Sequence, residues 1–455
     1  MRRSAVRYLG GVLCLGLAAM SWIGMATASP APGMLFGLYP RRVFVLLVAI
    51  SYVAIWAFCA SLSRGRLSGA LGNFILTTTA LGVTVGLIEL PALLGAVDYR
   101  RYVALPESVL FTRVKAWELP GNRLDPELLH LHRPGQTIRG DAAGDLVHWL
   151  QIPTERRYPI DIEYDSLGFR NDRDYLRAPI IVLGDSFAEA GLVAAEDLLP
   201  TRLARRLGVD IANLGQSGYG PQQELIVLKR YGLKLQPRIV LWLFFEGNDL
   251  LDIPRYERLS RTWEAEMHRA QSPSQRTLTR NVLNLLAALT DPSAPRDEMK
   301  ARRRSCTVRA PGTNEPLLLY FAFAGEPLSE EDHASLQKSQ EILLEADRHC
   351  ADVGAELVLV FVPTKFRVYD DLCEFPDESL LRGWRVHDLP WQMAAWAAEQ
   401  GILFLDLTGP LEESATRGEL VFFPDDGHWN AKGNEVAAGV IAGYLEESGL
   451  RARLD

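Results

Sequence analysis

Two motifs far apart in the 455-residue chain carry residue types that would together make a serine nucleophile. Gly184-Asp185-Ser186-Phe187 supplies a hydroxyl, and Pro424-Asp425-Asp426-Gly427-His428-Trp429-Asn430 supplies an imidazole with carboxylates beside it. A serine hydroxyl is a weak nucleophile unless an imidazole takes its proton, and that imidazole needs a carboxylate to fix its tautomer. His428, with Asp425 earlier in the same loop, can meet both needs. The oxyanion formed during acyl transfer requires donors set in advance. The backbone N–H groups of Ser186 and Gly218 and the side-chain amide of Asn248 are the candidates. Singly, each residue has a plain alternative: a strand-ending turn, a surface histidine, a turn glycine, a helix cap. All of them in this order on one sheet is a far rarer coincidence.

These residues must be held by elements of one sheet. Residues 180–183 are four apolar residues, three of them β-branched, as in a parallel strand buried on both faces. A helical pattern follows the Gly-Asp-Ser break within roughly ten residues, so Ser186 falls at the carboxyl end of a strand, where open α/β sheets place their chemistry. Residues 198–207 read as a helix stopped by Gly208, 210–214 as a second strand, and Pro221 as the start of the next helix. Residues 239–245 form a third strand running into Glu246-Gly247-Asn248-Asp249. Residues 317–323 are expected to add a strand. A helix capped by Ser329 and ended by Gly354 precedes a fourth main strand at 357–362, a helix at 389–399 and a fifth strand at 402–407. Alternating strands and helices of this kind define an α/β fold with a parallel sheet.

Three further regions flank this core. Residues 1–98 are mostly apolar: 9–28, 43–63 and 67–88 are free of charge, and each has the roughly 20 residues a bilayer-crossing helix needs. They form an expected membrane region, although Arg2, Arg3, Arg7 and the small residues Ala26-Thr27-Ala28 also allow the first segment to be a cleaved signal peptide. With Arg2, Arg3 and Arg7 in the cytoplasm, three crossings put everything after Asp98 on the other side, while Arg41 and Arg42 run against that charge rule. Residues 99–177 read as an irregular lead-in, with 165–171 as a turn delivering the chain to the first core strand. Residues 178–455 are the catalytic domain, interrupted at about 250–315 by a polar, Arg-rich insertion that is either a cap or a surface excursion.

A net charge of −8 leaves no basic stripe and excludes a nucleic-acid surface. Among the cysteines, Cys306, Cys350 and Cys373 fall in the polar part, so one thiol is left over if two pair. No Cys or His spacing resembles a zinc site, no metal or cofactor is expected, and His130-x-His132 reads as surface.

As a set, GDSF, Asn213-x-x-x-x-Gly218, Gly247-Asn248-Asp249 and Asp425-x-x-His428 resemble the SGNH, or GDSL-type, hydrolase family over residues 180–445. The resemblance implies a flavodoxin-like three-layer fold and an acyl-ester substrate. By motif match it makes Ser186 the nucleophile, Asp425 and His428 the rest of the triad, and Gly218 and Asn248 part of the oxyanion hole. Two departures stand out. The family's Gly-x-Asn-Asp begins here with Glu246, and the doubled Asp425-Asp426 also permits an Asp-x-His reading that would choose Asp426. Asp-Gly-His-Trp together with Val362-Pro-Thr-Lys365 is also similar to SGNH-like proteins that O-acetylate bacterial exopolysaccharides, although those tend to carry the Asp-His pair before the serine. The Gly-x-Ser-x-Gly elbow of the α/β-hydrolases is absent. Three function classes follow: a membrane-anchored esterase acting on a glycan, lipid or small ester, an O-acyltransferase of a cell-surface polysaccharide, and a catalytically silent binding protein.

Overall fold

The computed structural model describes residues 41–62, 67–103, 121–150, 155–289, 303–309, 315–323 and 327–454, with isolated positions at 12–20, 116 and 119. The first expected membrane segment, 9–28, lies largely outside the described residues. The chain divides into two compact units, one of residues 1–110 with 268–295 and one of 111–267 with 296–455.

In the first unit, helices Arg41–Leu62 and Leu67–Leu93 present apolar side chains outward, among them Leu46, Leu76 and Leu87. Arg42–Ala60 and Gly69–Leu93 are long and apolar enough to cross a membrane, by length and composition. Their packing includes Trp56 on Phe74, with ring centroids 4.4 Å apart. The insertion belongs partly to this unit. Helix Leu278–Leu289 begins against Glu89, whose carboxylate accepts the N–H groups of Leu278 at 3.0 Å and Thr279 at 2.7 Å. An acidic group there satisfies the free N–H groups of a helix start and complements its dipole.

The second unit contains all strands found among the described residues. In chain order they are β1 (Asn122–Asp125), β2 (Leu129–His132), β3 (Thr137–Ala142), β4 (Tyr158–Glu163), β5 (Ile180–Leu183), β6 (Ile211–Asn213), β7 (Ile239–Phe245), β8 (Ser305–Arg309), β9 (Pro316–Tyr320), β10 (Glu356–Val362) and β11 (Leu403–Asp406). The main sheet is wholly parallel, in the order β6-β5-β7-β10-β11. That is the flavodoxin-like order 2-1-3-4-5, in which the chain reverses its winding beside the first strand and opens a crevice between the carboxyl ends of β5 and β7.

Alternation along each strand builds the three layers. Ile180, Val182, Leu241, Leu243, Val358 and Val360 face helices Leu199–Leu207 and Ala431–Glu447, whereas Ile181, Leu183, Val240, Trp242, Leu357 and Leu359 face helices Pro221–Arg230 and Glu330–Asp352. A strand covered on both faces can afford no polar position, which is why these runs are continuously apolar. Each such side chain contributes roughly 1.5–3 kcal/mol of burial. Helix limits follow their caps: Ser329 and Asp332 form a capping box, and Gly208 takes a left-handed φ of 69°.

The expected strand at 317–323 is present as β9, over Pro316–Tyr320, and pairs antiparallel with β8 outside the main sheet. One sequence expectation needs correction. The lead-in 99–177 is not irregular: β1 pairs with β2 and β3 with β4, both antiparallel. These strands are short and mixed in burial, so neither left a clean apolar alternation in the sequence. The turn at 165–171 is present. Asp165 Oδ1 accepts the N–H groups of Leu167, Gly168 and Phe169 at 2.8–2.9 Å. Cys306 and Cys373 form a disulfide, and Cys350 is a buried thiol.

Candidate active site

Ser186 opens a short helix, Ser186–Glu189, directly beyond the carboxyl end of β5. Asp185 caps it by accepting the N–H of Phe187 at 2.8 Å. Gly184 makes the turn with φ of 150°, and a Cβ there would stand 3.0 Å from Leu243 Cβ. At the other end of the chain, Asn430 caps helix Ala431–Glu447, accepting from Lys432 and Gly433 at 2.9 and 3.0 Å. His428 therefore lies in the turn just before a fixed helix start.

These two loops meet. His428 Nε2 is 2.7 Å from Ser186 Oγ, and His428 Nδ1 is 2.6 Å from Asp426 Oδ1. A carboxylate only accepts, so Nδ1 carries the proton and Nε2 is left free to take the serine's. The carboxylate on His428 is thus Asp426, where the sequence motif assigned Asp425. The backbone explains the difference. Asp426 folds back over its own turn, with Oδ1 also accepting the His428 N–H at 2.8 Å and Oδ2 accepting the Asp145 N–H at 2.8 Å. Asp425 points the other way and accepts from the Tyr158 hydroxyl, with Arg156 3.9 Å from it.

Charge is concentrated around the imidazole. Burial alone would push His428 down, but the Asp426 carboxylate, with Asp145 and Asp185 beyond it, raises it to about 9. Burial pushes Asp426 up, and the His428 charge with its hydrogen bonds overcomes this and holds it below the usual carboxylate range. Asp145, pushed up by burial and by Asp426 to about 7, accepts the Gly427 N–H at 2.9 Å. The approach is close: a Cβ on Gly144 would stand 2.1 Å from the Asp425 carbonyl oxygen. Lys365 lies beneath the same turn, and its Nζ donates to the carbonyls of Phe423, Pro424 and Asp426 at 2.6, 2.8 and 3.2 Å. Burial lowers its pKa to about 7 against the pull of Asp426, Asp425 and Asp145.

The candidate oxyanion donors lie at neighbouring strand ends. Asn213 is buried at the end of β6 and spans the loop base, donating to the Ala188 carbonyl at 2.7 Å and accepting from Gly215 N–H at 3.0 Å. Gly218 has φ of 79°, a left-handed conformation that favours glycine. The Asn248 amide is held at 3.0 Å by Asp252 Oδ2. Glu246, the departure from the family pattern, has a structural task. Its carboxylate accepts from the Thr364 N–H at 2.8 Å and from Arg367 Nε at 2.8 Å, with both charged side chains buried, tying the end of β7 to the loop after β10.

Several contributors were not assigned on sequence. Asp145 and Tyr158 come from the lead-in, where no motif marks them. Lys365 was noted only as part of Val-Pro-Thr-Lys. His130-x-His132 is not surface: His130 is 4% exposed, and His132 Nε2 donates to the buried Glu189 at 2.9 Å. As to metal, Asp145, Asp426 and His428 offer donor atoms within 4.8 Å of one another. His428 Nδ1 and Asp145 Oδ1 are already engaged with Asp426 and Gly427, which fits an internal hydrogen-bond network.

Comparisons with known proteins agree with this architecture. Residues 321–454 match the family model described as SGNH hydrolase-like domain, acetyltransferase AlgX. That segment includes Lys365, Asp425, Asp426 and His428 but not Ser186. A probable alginate O-acetylase AlgJ of Pseudomonas putida is 35% identical over 97 residues, 21% of this chain and 24% of that protein. One from Pseudomonas fluorescens is 34% identical over 90 residues, 20% and 22% respectively. The chain thus spans about a quarter of the length of the curated relatives it matches. An acetylxylan esterase from Geobacillus stearothermophilus aligns at 11% identity over 60% of this chain and 95% of that one, with a TM-score of 0.32, a likeness too slight to carry an argument. Over residues 321–454, then, the chain is similar to an SGNH hydrolase-like domain. Its similarity is to the polysaccharide O-acetyltransferase members of that group.

Proposed function

We propose that the chain is a membrane-anchored, extracytoplasmic SGNH-type enzyme that moves an acyl group by way of Ser186, with a cell-surface polysaccharide hydroxyl as the acceptor. The observation that carries the reading is the unbroken chain from Ser186 Oγ through His428 to Asp426, at 2.7 and 2.6 Å. In this reading Ser186 Oγ attacks the ester carbonyl while His428 Nε2 takes its proton. Asp426 stabilises the imidazolium that forms. The N–H groups of Ser186 and Gly218 and the Asn248 amide receive the oxyanion. His428 returns the proton to the departing alkoxide and leaves an acyl-serine. An incoming hydroxyl then gives its proton to His428 and attacks the acyl carbon, the bond from that carbon to Ser186 Oγ breaks, and His428 passes the proton to Oγ, restoring Ser186. An intact chain of this kind weighs against a silent binding protein.

Water and a sugar hydroxyl attack the same acyl-serine, so the triad does not choose between them. Transfer is supported by the similarity to probable alginate O-acetylases and to the acetyltransferase family model, and by the Asp-x-His spacing of Asp426 and His428. Hydrolysis is supported by chain order, with Ser186 preceding the Asp-His pair. The outward-facing, anchored arrangement is supported by the two apolar helices and by the Cys306–Cys373 disulfide, a bond typical of oxidising compartments. The test uses the full chain in detergent with 4-nitrophenyl acetate, with and without alginate oligosaccharides. Mass spectrometry of the sugars showing added acetyl groups is the expected result. Nitrophenol release with only free acetate formed would turn the reading to an esterase.

A further inference from the structure

We infer that His130 and the His132–Glu189 pair are positioning residues that aim the Gly218 N–H at the oxyanion. The inference rests on the site reading above, in which Gly218 is a donor, and it gives a task to a histidine pair that the triad does not use.

A trans peptide is planar, and its C=O and N–H point in opposite directions. The Ser217 carbonyl and the Gly218 N–H belong to one such unit, and no cis peptide occurs among the described residues. Fixing the carbonyl therefore fixes the direction of the N–H. His130 Nε2 lies 3.2 Å from the Ser217 oxygen, and because a carbonyl only accepts, Nε2 is the donor. Burial lowers His130 to about 4, so the ring is neutral at ordinary pH and carries its one proton on Nε2. Its Nδ1 has no hydrogen-bond partner among the described residues, which agrees with that tautomer.

The other side of Ser217 is held as firmly. Its N–H donates to Glu189 Oε2 at 2.6 Å. Glu189 Oε1 accepts from His132 Nε2 at 2.9 Å and from the Tyr164 hydroxyl at 2.7 Å. Glu189 is the last residue of the short helix that Ser186 begins, so this carboxylate couples the nucleophile's own element to the Ser217 backbone. The strand bearing both histidines is itself fastened to the loop: the Tyr219 hydroxyl donates to the His130 carbonyl, and Gln223 donates to the Leu128 carbonyl at 2.8 Å. Gly218, at φ of 79°, has no side chain of its own to fix the direction of its N–H.

The test is the rate at which a fluorophosphonate labels Ser186, read by mass spectrometry, beside kcat and KM for 4-nitrophenyl acetate. The phosphonyl oxygen needs the same donors as the oxyanion. His130→Phe keeps a ring in the slot without a donor, and His130→Gln restores an N–H of similar reach. The expected result is a labelling rate and kcat lowered on the order of 10-fold to 100-fold in His130→Phe, less than the loss from deleting a donor outright. KM and melting temperature should stay near native values, with recovery in His130→Gln. Labelling by a folded His130→Phe within about threefold of native, or no recovery in an equally folded His130→Gln, would overturn the inference. Should His130→Phe not fold, His130→Asn serves, since its shorter amide falls short of the Ser217 carbonyl. It should label more slowly than His130→Gln, and equal rates would overturn the inference. Native protein that labels nowhere would remove the site reading itself, whereas native labelling at Ser186 with unchanged variants removes this inference alone.

Discussion

Replacing Asp426 by Asn tests the site most sharply, because the neighbouring Asp425 supplies an internal control of the same size and charge. Asp426 Oδ1 accepts from His428 Nδ1 at 2.6 Å and from the His428 N–H at 2.8 Å. An asparagine amide turned towards Nδ1 would donate to it, favour the wrong tautomer and leave Nε2 protonated against Ser186. By analogy with the same change in serine proteases, kcat should fall on the order of 10⁴-fold, or about 5.4 kcal/mol. The charge lost is also the main cause holding His428 near 9, so the residual activity should titrate closer to the ordinary 6.5. Asp425→Asn should cost less than about tenfold, because its partners are Tyr158 and Arg156 and an asparagine oxygen can still accept the Tyr158 hydroxyl. The assay is aryl acetate turnover between pH 5.5 and 10 for native protein and both variants, with circular dichroism as the folding control. A greater loss in Asp425→Asn than in Asp426→Asn would refute the geometric argument and restore the sequence motif's original assignment.

Four other outcomes are expected. In native protein, kcat/KM should rise with pH towards a plateau above about 9, because His428 must lose its proton to act as a base and only about a hundredth is free at pH 7; a plateau already reached at pH 7 would contradict this. The same raised value adds stability that is fully present below 6.5 and lost as pH rises through about 9, so melting temperature should fall over that window in native protein and less in His428→Gln. Lys365→Met strips donors from three buried carbonyls and should destabilise the protein by at least about 3 kcal/mol in chemical denaturation, with a loss under 1 kcal/mol contradicting the role given to this side chain. A carboxyl-terminal reporter active only in the cytoplasm should stay dark, and a bright one would sink the outward-facing arrangement.

Legibility in the sequence followed the physics of each element. The three central strands of the parallel sheet were readable because a strand covered on both faces must be apolar throughout, and residues 180–183, 239–245 and 357–362 are. Their alternation with capped helices carried the fold class, and the motifs at Ser186 and His428 marked the candidate site because each sits where a strand or helix end fixes it. Tertiary structure alone decided which carboxylate faces the imidazole. Asp425 and Asp426 are adjacent and chemically alike, and the choice rests on how one turn folds over itself and on the Asp145 N–H that meets it from a distant segment. It likewise buried His130 and half-buried His132, since short strands such as β1 and β2 leave too little periodicity to be seen, and their contacts with Ser217 and Glu189 join residues that no local pattern connects.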